Sequence, residues 1–448
     1  MGFRSTNFLF DSPAAAVAAL AARVRITPPL RSSEVVELTA ASGRILAIDF
    51  RTDRDSPPFD YAAMDGYAIC LADVAEWMES ETVLRDTSCV YTLSVVGEVL
   101  IGKAPPAYCR AAAPPGTLRI VTGAPIPHGV DTIIRREDVL EHATECGGEV
   151  ASISFTAGLV ASLKRSQHVR YRGENALGGT IALHAGEVMS SASLATLATF
   201  GGIPPTVFRR LRVAIITTGE ELVEASETPS DFQIRNSNAV AVRTILASQP
   251  WIDVVSVINV RDGDDLAAAL EHAIEVTDAV VTTGGVSMGH RDAVRAALER
   301  IGAEIIFHGL PQRPGKPVLG AVVSQHSTSM SRLVPVLALP GNPVAALVTC
   351  VRIVLPVLAA ASGANRTPPA CLPKLVQLRG HDVQPFDVWS HRLARLVVGS
   401  NGSLHAEIIP GRGSGDIVSA GLSDGFVEIP PGVPEVFQSF YAWPAGAS

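Results

Sequence analysis

A chain of 448 residues, 47% hydrophobic and 18% charged, is too long for one ordinary core and too apolar for a disordered one; roughly two to four domains are expected. Its net charge of −8 excludes the basic surplus of a nucleic-acid binder, so an anionic ligand would need a local basic patch.

Ser12 and Pro13 open the first predicted helix as cap and first residue, and an alanine-rich stretch carries it to about Arg23. A loop follows at Asp55-Ser56-Pro57-Pro58-Phe59-Asp60. From Ala68 to about Phe155, short runs of Val, Thr, Ile, Gly and Pro have the composition of a small β domain, with a hairpin or loop at Glu141 to Gly148. A helix from Ser191 to Phe200 ends at Gly201-Gly202.

From Leu211 strands alternate with helices. Strands are expected at Leu211 to Thr217, Val254 to Val260, Ala279 to Thr282, Glu304 to His308 and Val334 to Leu339. Helices are expected at Asn236 to Ser248, Asp264 to Val276, Asp292 to Ile301 and Pro343 to Leu358, with a solvent loop at Ser324 to Ser331. That alternation builds a mostly parallel sheet covered on both faces, with ligands beyond the carboxyl ends of its strands. Val344 to Ala361 is interrupted by Arg352 and Pro356 and reads as a core helix, not a membrane span. After Thr367-Pro368-Pro369 the pattern is β-like again. The six cysteines show no metal or disulfide spacing, and no secretory signal opens the chain. A cytoplasmic protein without a membrane partner is expected.

Three glycine turns cluster where such a sheet binds ligands: Gly284-Gly285-Val286-Ser287, Arg313-Pro314-Gly315-Lys316-Pro317 and Pro340-Gly341-Asn342-Pro343. Glycine admits a ligand close to backbone amides, and helix starts leave amides free for anions. Together with Lys316 they describe a phosphate-handling mouth. Around it, Glu220-Glu221 are either Mg²⁺ ligands or the acidic first turn of a helix. Asp262 is either a ligand or a loop residue beside Asp264, the better helix cap. Asp292 is a cap or a ligand, and Arg313 and Lys316 are ligands or solvated loop charges. Asn342 is read as a capping residue with Pro343 first in the helix. No Walker P-loop or Gly-x-Ser-x-Gly elbow is present.

Taken in order, the motifs resemble the molybdopterin molybdotransferase family, MoeA and the E domain of gephyrin. They are Phe59-Asp60 with Met64-Asp65-Gly66-Tyr67-Ala68, Thr122-Gly123-Ala124-Pro125, Arg172-Gly173-Glu174, Thr218-Gly219-Glu220-Glu221-Leu222, Ser237-Asn238, the three turns, and Gly413-Ser414-Gly415. The resemblance implies an elongated N-terminal region (1–50 and 165–207) with an inserted β domain (51–164), a mostly parallel α/β molybdopterin-binding domain (208–362) and a small barrel-like C-terminal β domain (363–448). It implies a homodimer with its site at the subunit interface, and transient contact with molybdoenzymes or the adenylyltransferase. The reaction it implies takes adenylylated molybdopterin and molybdate, inserts molybdenum and releases AMP with Mg²⁺. Catalytic roles would fall to Asp60, Thr122, Glu221, Asp262, Asp292 and Lys316, with Glu221, Asp262 and Asp292 on the metal. Substrate would meet Gly219, Gly284, Gly285, Ser287, Arg313, Pro340, Gly341, Asn342, Arg392 and Ser414. The chain departs from the family pattern at Asn175 (usually Asp), Glu220 (Asp), Arg313 (Lys) and Arg412. A non-catalytic cofactor scaffold and a tungstate-preferring enzyme are the alternatives.

Overall fold

The computed structural model describes residues 8–25, 32–80, 88–108, 114–144, 148–261, 265–287, 292–326, 331–379, 386–432 and 436–444. They fall into two compact units, Arg51–Ala182 and the remainder, Met1–Phe50 with Leu183–Ser448.

The Arg51–Ala182 unit is built on a six-stranded sheet. Its order is Thr132–Arg135, Gly66–Ile69, Thr117–Ile120, Val90–Val99, Val150–Thr156 and Leu140–Ala143. Side chains alternate across a strand. Tyr67 and Ile69 therefore enter a core with Leu93, Ile134 and Ile153, while Ala68 enters another with Leu118, Ile120 and Ile133. Gly66 is required by backbone contact, since a Cβ there would lie 1.9 Å from the Ile134 carbonyl oxygen. The expected hairpin is present, Leu140–Ala143 against Val150–Thr156. The expected all-β run is interrupted by a helix, Leu71–Ser80. Its Val74 is buried, Leu71, Trp77 and Met78 pack against the same core, and Asp131 accepts a hydrogen bond from the Leu71 amide at 2.9 Å.

The other unit opens with the helix Pro13–Val24, whose cap is Ser12: its hydroxyl accepts from the Ala15 amide at 3.2 Å. The main sheet has the order Ile252–Val260, Leu211–Thr218, Ala279–Thr283, Ser331–Leu339, Leu319–His326 and Glu304–His308. The first four strands are parallel, Leu319–His326 runs antiparallel to them, and Glu304–His308 pairs antiparallel with it and so points the same way as the first four. Alternation assigns Val213, Ile215, Val281, Leu337 and Leu339 to one core and Ala214, Ile216, Val280, Val336 and Ala338 to the other. Burial on both faces is why these strands read as continuous apolar runs. The expected loop at Ser324 to Ser331 is shorter than its polarity suggests. Ser324, Gln325 and His326 pair with Leu333, Arg332 and Ser331, because backbone pairing at a strand end does not require apolar side chains.

The helix Pro343–Ala361 is long and apolar enough for a membrane by composition but lies buried in this unit. Its middle, Cys350–Val354, widens into a π-helical turn. Beyond it, Trp389–Val398, Leu404–Ile408, Lys374–Arg379, Phe437–Ala442 and Gly425–Ile429 close into a five-stranded barrel, Gly425–Ile429 pairing back onto Trp389–Val398. A short strand from the α/β layer, Gln312–Arg313, joins the same sheet beside Trp389 and Ser390.

Candidate functional site

Three adjacent parallel strands end together and carry the turns Thr218-Gly219-Glu220-Glu221, Gly284-Gly285-Val286-Ser287 and Pro340-Gly341-Asn342. They line a cleft of about 1340 Å³ with Asn238, Arg235, Arg261 and Phe232. Gly284 has φ +83°, and a Cβ there would stand 2.4 Å from the Thr218 carbonyl oxygen; at Gly285, φ +64°, it would stand 2.7 Å from the Thr218 hydroxyl. The turn thus packs on the neighbouring strand end with no room for a side chain. Gly284→Ala is expected to cost at least about 2 kcal/mol, from the left-handed backbone and the overlap together. A lower denaturant midpoint with loss of ligand binding is the measurement. Asn238 ties the third turn to the cleft wall, its Nδ2 donating to the Gly341 carbonyl at 2.8 Å.

No helix begins at Glu220. The short strand Leu222–Val223 follows, paired with Ile234–Arg235, so the dipole explanation for these acids falls away. The Glu221 carboxylate folds back over Gly219, where a Cβ would be 2.7 Å from Oε2. Among the described residues neither Glu220 nor Glu221 pairs with a cation.

Asp292 combines two tasks. Oδ1 accepts from the Arg295 amide at 2.8 Å, capping the helix Ala293–Arg300, and Oδ2 accepts from the Ser287 amide at 3.1 Å. His308 Nε2 lies 3.0 Å from the same Oδ2 and 3.1 Å from the Ser287 carbonyl. The pair anchors the end of the glycine turn. Asp292 does not line the cleft; its neighbour Ala293 does. Asp262 and Asp264 lie outside the described residues. The cap of the helix Leu266–Val276 is Asp265, not the expected Asp264, accepting from Ala267 and Ala268 amides at 3.1 and 3.2 Å.

Asn342 also departs from expectation. Its side chain caps nothing; Nδ2 donates to the Ser414 hydroxyl at 2.8 Å, and the Val344 amide donates to the Ser414 carbonyl at 3.0 Å. The helix start is therefore completed by the barrel's turn. That turn is set by Asp416, whose carboxylate accepts from the Arg412 amide at 2.9 Å and the Ser419 hydroxyl at 2.7 Å. These bonds hold the Asp416 carboxyl down at about 2.

A second pocket of about 680 Å³ shares Pro317, Pro340 and Asn342 with the cleft. Arg313, Lys316, Arg392 and Arg412 line it with Ser414 and Phe386, and among the described residues no carboxylate does. None of these four cations forms an ion pair with a described residue. The Arg313–Lys316 loop is fixed through its backbone: Gln312 Nε2 donates to the Gly315 carbonyl at 3.0 Å, and the Leu310 amide to the Lys316 carbonyl at 2.9 Å. Beneath the pocket lies a buried ionic cluster. Arg352 Nε is 2.5 Å and His391 Nε2 3.0 Å from Glu428 Oε2, and Arg352 Nη2 donates to Oε1 at 3.2 Å. Burial alone would push the Glu428 carboxyl up, but the hydrogen bond from His391 and the charge of Arg352 outweigh it and hold it down.

The Arg51–Ala182 unit carries Asp60 and Thr122. Asp60 Oδ1 accepts from the Arg172 amide at 2.7 Å. Thr122 lines a pocket of about 740 Å³ with Asp65, Arg135, Arg136 and Glu141. Asp65 Oδ1 accepts from both the Thr122 amide (2.7 Å) and its hydroxyl (2.9 Å), and these bonds hold its carboxyl below the usual range. Here the cations are already engaged, Arg136 by Glu141 and Arg135 by Glu137 and Asp138. Asn175 meets Arg170, Nη2 to Oδ1 at 3.4 Å.

Sequence reasoning missed His308, Phe386 and the Arg352–Glu428–His391 cluster. Only Arg352 left a signal, as a cation inside an otherwise apolar helix.

Residues 12–201 match the family model described as the MoeA N-terminal region (domain I and II), and residues 214–360 match a probable molybdopterin binding domain. The chain is 34% identical over 370 residues to a molybdopterin molybdenumtransferase of Synechococcus elongatus, spanning 80% of this chain and 82% of that one. It is 31% identical over 333 residues to the Haemophilus influenzae protein of the same name, spanning 74% and 73%. The crystal structure of the molybdopterin biosynthesis MoeA protein from Pyrococcus horikosii superimposes with a TM-score of 0.66 at 26% identity, covering 97% of this chain and 99% of that one.

Proposed function

The chain belongs to the MoeA family of molybdopterin molybdenumtransferases, and on that basis we propose that it transfers molybdenum from molybdate to adenylylated molybdopterin with release of AMP. One observation carries this reading: a strand-end cleft bearing Glu220 and Glu221 adjoins a pocket lined, among the described residues, by four cations and no carboxylate. The two halves suit the two anionic substrates. The backbone amides of Gly285 and Val286, with those of Gly219 and Gly341, hold the phosphates of the pterin nucleotide. Lys316, Arg313, Arg392 and Ser414 hold the tetrahedral oxyanion. Breaking a phosphoanhydride between bound partners calls for placement and charge stabilisation, not for a covalent nucleophile.

The donor set fits Mg²⁺ at the acidic end. Glu220 and Glu221 offer hard carboxylate oxygens with no described cation on them, whereas the Asp292 oxygens already serve Ser287, Arg295 and His308. Bound there, Mg²⁺ would neutralise charge on the phosphate oxygens. Asp292 acts by holding Ser287, and Asp262, outside the described residues, is a metal ligand in this reading by the motif order alone. Asp60 and Thr122 are further catalytic residues in this reading, supported by the motif order alone. The same family membership supports a cytoplasmic homodimer and the division 1–50 with 165–207, 51–164, 208–362 and 363–448.

The test is direct. Purified protein given adenylylated molybdopterin, molybdate and Mg²⁺ is expected to release AMP and to activate an apo-molybdoenzyme. Tight binding of both substrates without AMP release would replace the transferase by a cofactor scaffold.

A further inference from the structure

Phe386 stands beside both arginines of the cation-lined pocket. The Arg313 guanidinium carbon lies 5.7 Å and that of Arg392 6.0 Å from the centroid of its ring. Two like charges drawn to one place need a reason, and among the described residues no carboxylate lines the pocket to supply it. The negative face of an aromatic ring does, attracting a guanidinium within about 6 Å. Arginine suits such a ring better than lysine, because its planar cation stacks and keeps its fork of donors free. Arg313, where the resembled motif has lysine, therefore belongs with Phe386.

The backbones on all sides are fixed. Arg313 pairs with Ser390 across two strands, Arg392 pairs with Val427, and the Phe386 carbonyl accepts from the Gly432 amide at 2.9 Å. What remains free is the pair of long side chains. Among the described residues neither guanidinium has a hydrogen-bond or ion-pair partner, so the ring is what restrains them.

We propose that Phe386 is a positioning residue that presents Arg313 and Arg392 as a preorganised pair to molybdate, and so sets affinity for the oxyanion more than the rate of the chemistry. A guanidinium fork matches two oxygens of a tetrahedral anion, and two forks held in place spare the ordering cost of binding. The proposal rests on the transferase reading above, but its test does not depend on turnover.

Calorimetric titration of sodium molybdate into the full chain compares wild type, Phe386→Leu and Phe386→Trp at one ionic strength. Leucine keeps bulk without the ring's charge distribution and is expected to weaken molybdate about tenfold, with tryptophan restoring it to within about threefold. In turnover, Phe386→Leu should raise the KM for molybdate by the same factor while kcat and the KM for the pterin nucleotide move less than about twofold. Unchanged molybdate affinity in Phe386→Leu would overturn the proposal. So would a fall in every parameter together with no rescue by tryptophan, which marks a displaced barrel. Absent AMP release in wild type would sink the transferase reading, while a calorimetric loss in Phe386→Leu would still support the pairing.

Discussion

Glu428→Ala is expected to destabilise the chain by about 3–5 kcal/mol, the usual cost of stranding a buried charge by removing its partner. Arg352 is 7% and Glu428 6% exposed, and His391 4%, so water cannot replace the lost carboxylate. The Arg352 guanidinium would be left against the Tyr441 ring, 5.3 Å from its centroid, which offsets only part of the loss. Denaturant unfolding followed by tryptophan fluorescence reads this, since Trp389 and Trp443 sit in or beside the barrel, while Trp77 and Trp251 report on the other cores. The pH dependence has a definite sign. The folded Glu428 carboxyl is held below its ordinary value, so its contribution is fully present above the unfolded carboxylate range near about 4.3 and is lost as pH falls through the folded value. Glu428→Ala should lack that acidic limb. The companion replacement Arg352→Met in the Glu428→Ala background should recover stability, because no charge is then stranded. Equal stability of wild type and Glu428→Ala would show that the cluster contributes nothing.

Lys316→Ala is expected to lower turnover by more than about tenfold, the scale of one lost charge contact to the reacting centre. The loop stays in place because it is held by backbone bonds, Leu310 amide to Lys316 carbonyl and Val318 amide to Gly315 carbonyl; besides its charge, the side chain gives up its place over the Phe8 ring, 5.6 Å from Nζ to the centroid. Truncating the side chain removes the cation without releasing the turn. An unchanged rate of AMP release, with unfolding midpoint also unchanged, would remove Lys316 from the reaction. Lys316→Arg should retain part of the rate, since charge survives while reach and geometry change.

Most of the α/β layer was legible in the chain because its strands are buried on both faces and are therefore predominantly apolar. Leu211–Thr218 and Ala279–Thr283 show this plainly. Legibility failed where a partner far along the chain decides the outcome. Asn342 has the residue type and position of a cap, yet Ser414 claims its side chain. His308 looks like a strand-end residue until Asp292 and Ser287 are folded beside it. The helix Leu71–Ser80 was lost among β-rich neighbours, its apolar spacing too short to stand out. The three turns, by contrast, are local devices, and glycine and proline announce them. Two of the pocket's cations, Arg313 and Lys316, lie in the turns themselves, whereas Arg392 and Arg412 come from the barrel and no local pattern brings them there.

The widened turn at Cys350–Val354 has a consequence for how the gene can change. A π turn holds one residue more than an α turn, so the helix beyond it is rotated by about 100° relative to an uninterrupted one. Deleting a single codon there would restore ordinary winding and carry Arg352 or everything after it to another side of the helix. A one-residue change in length at the middle of this buried helix is thus expected to be far more damaging than one in a surface loop.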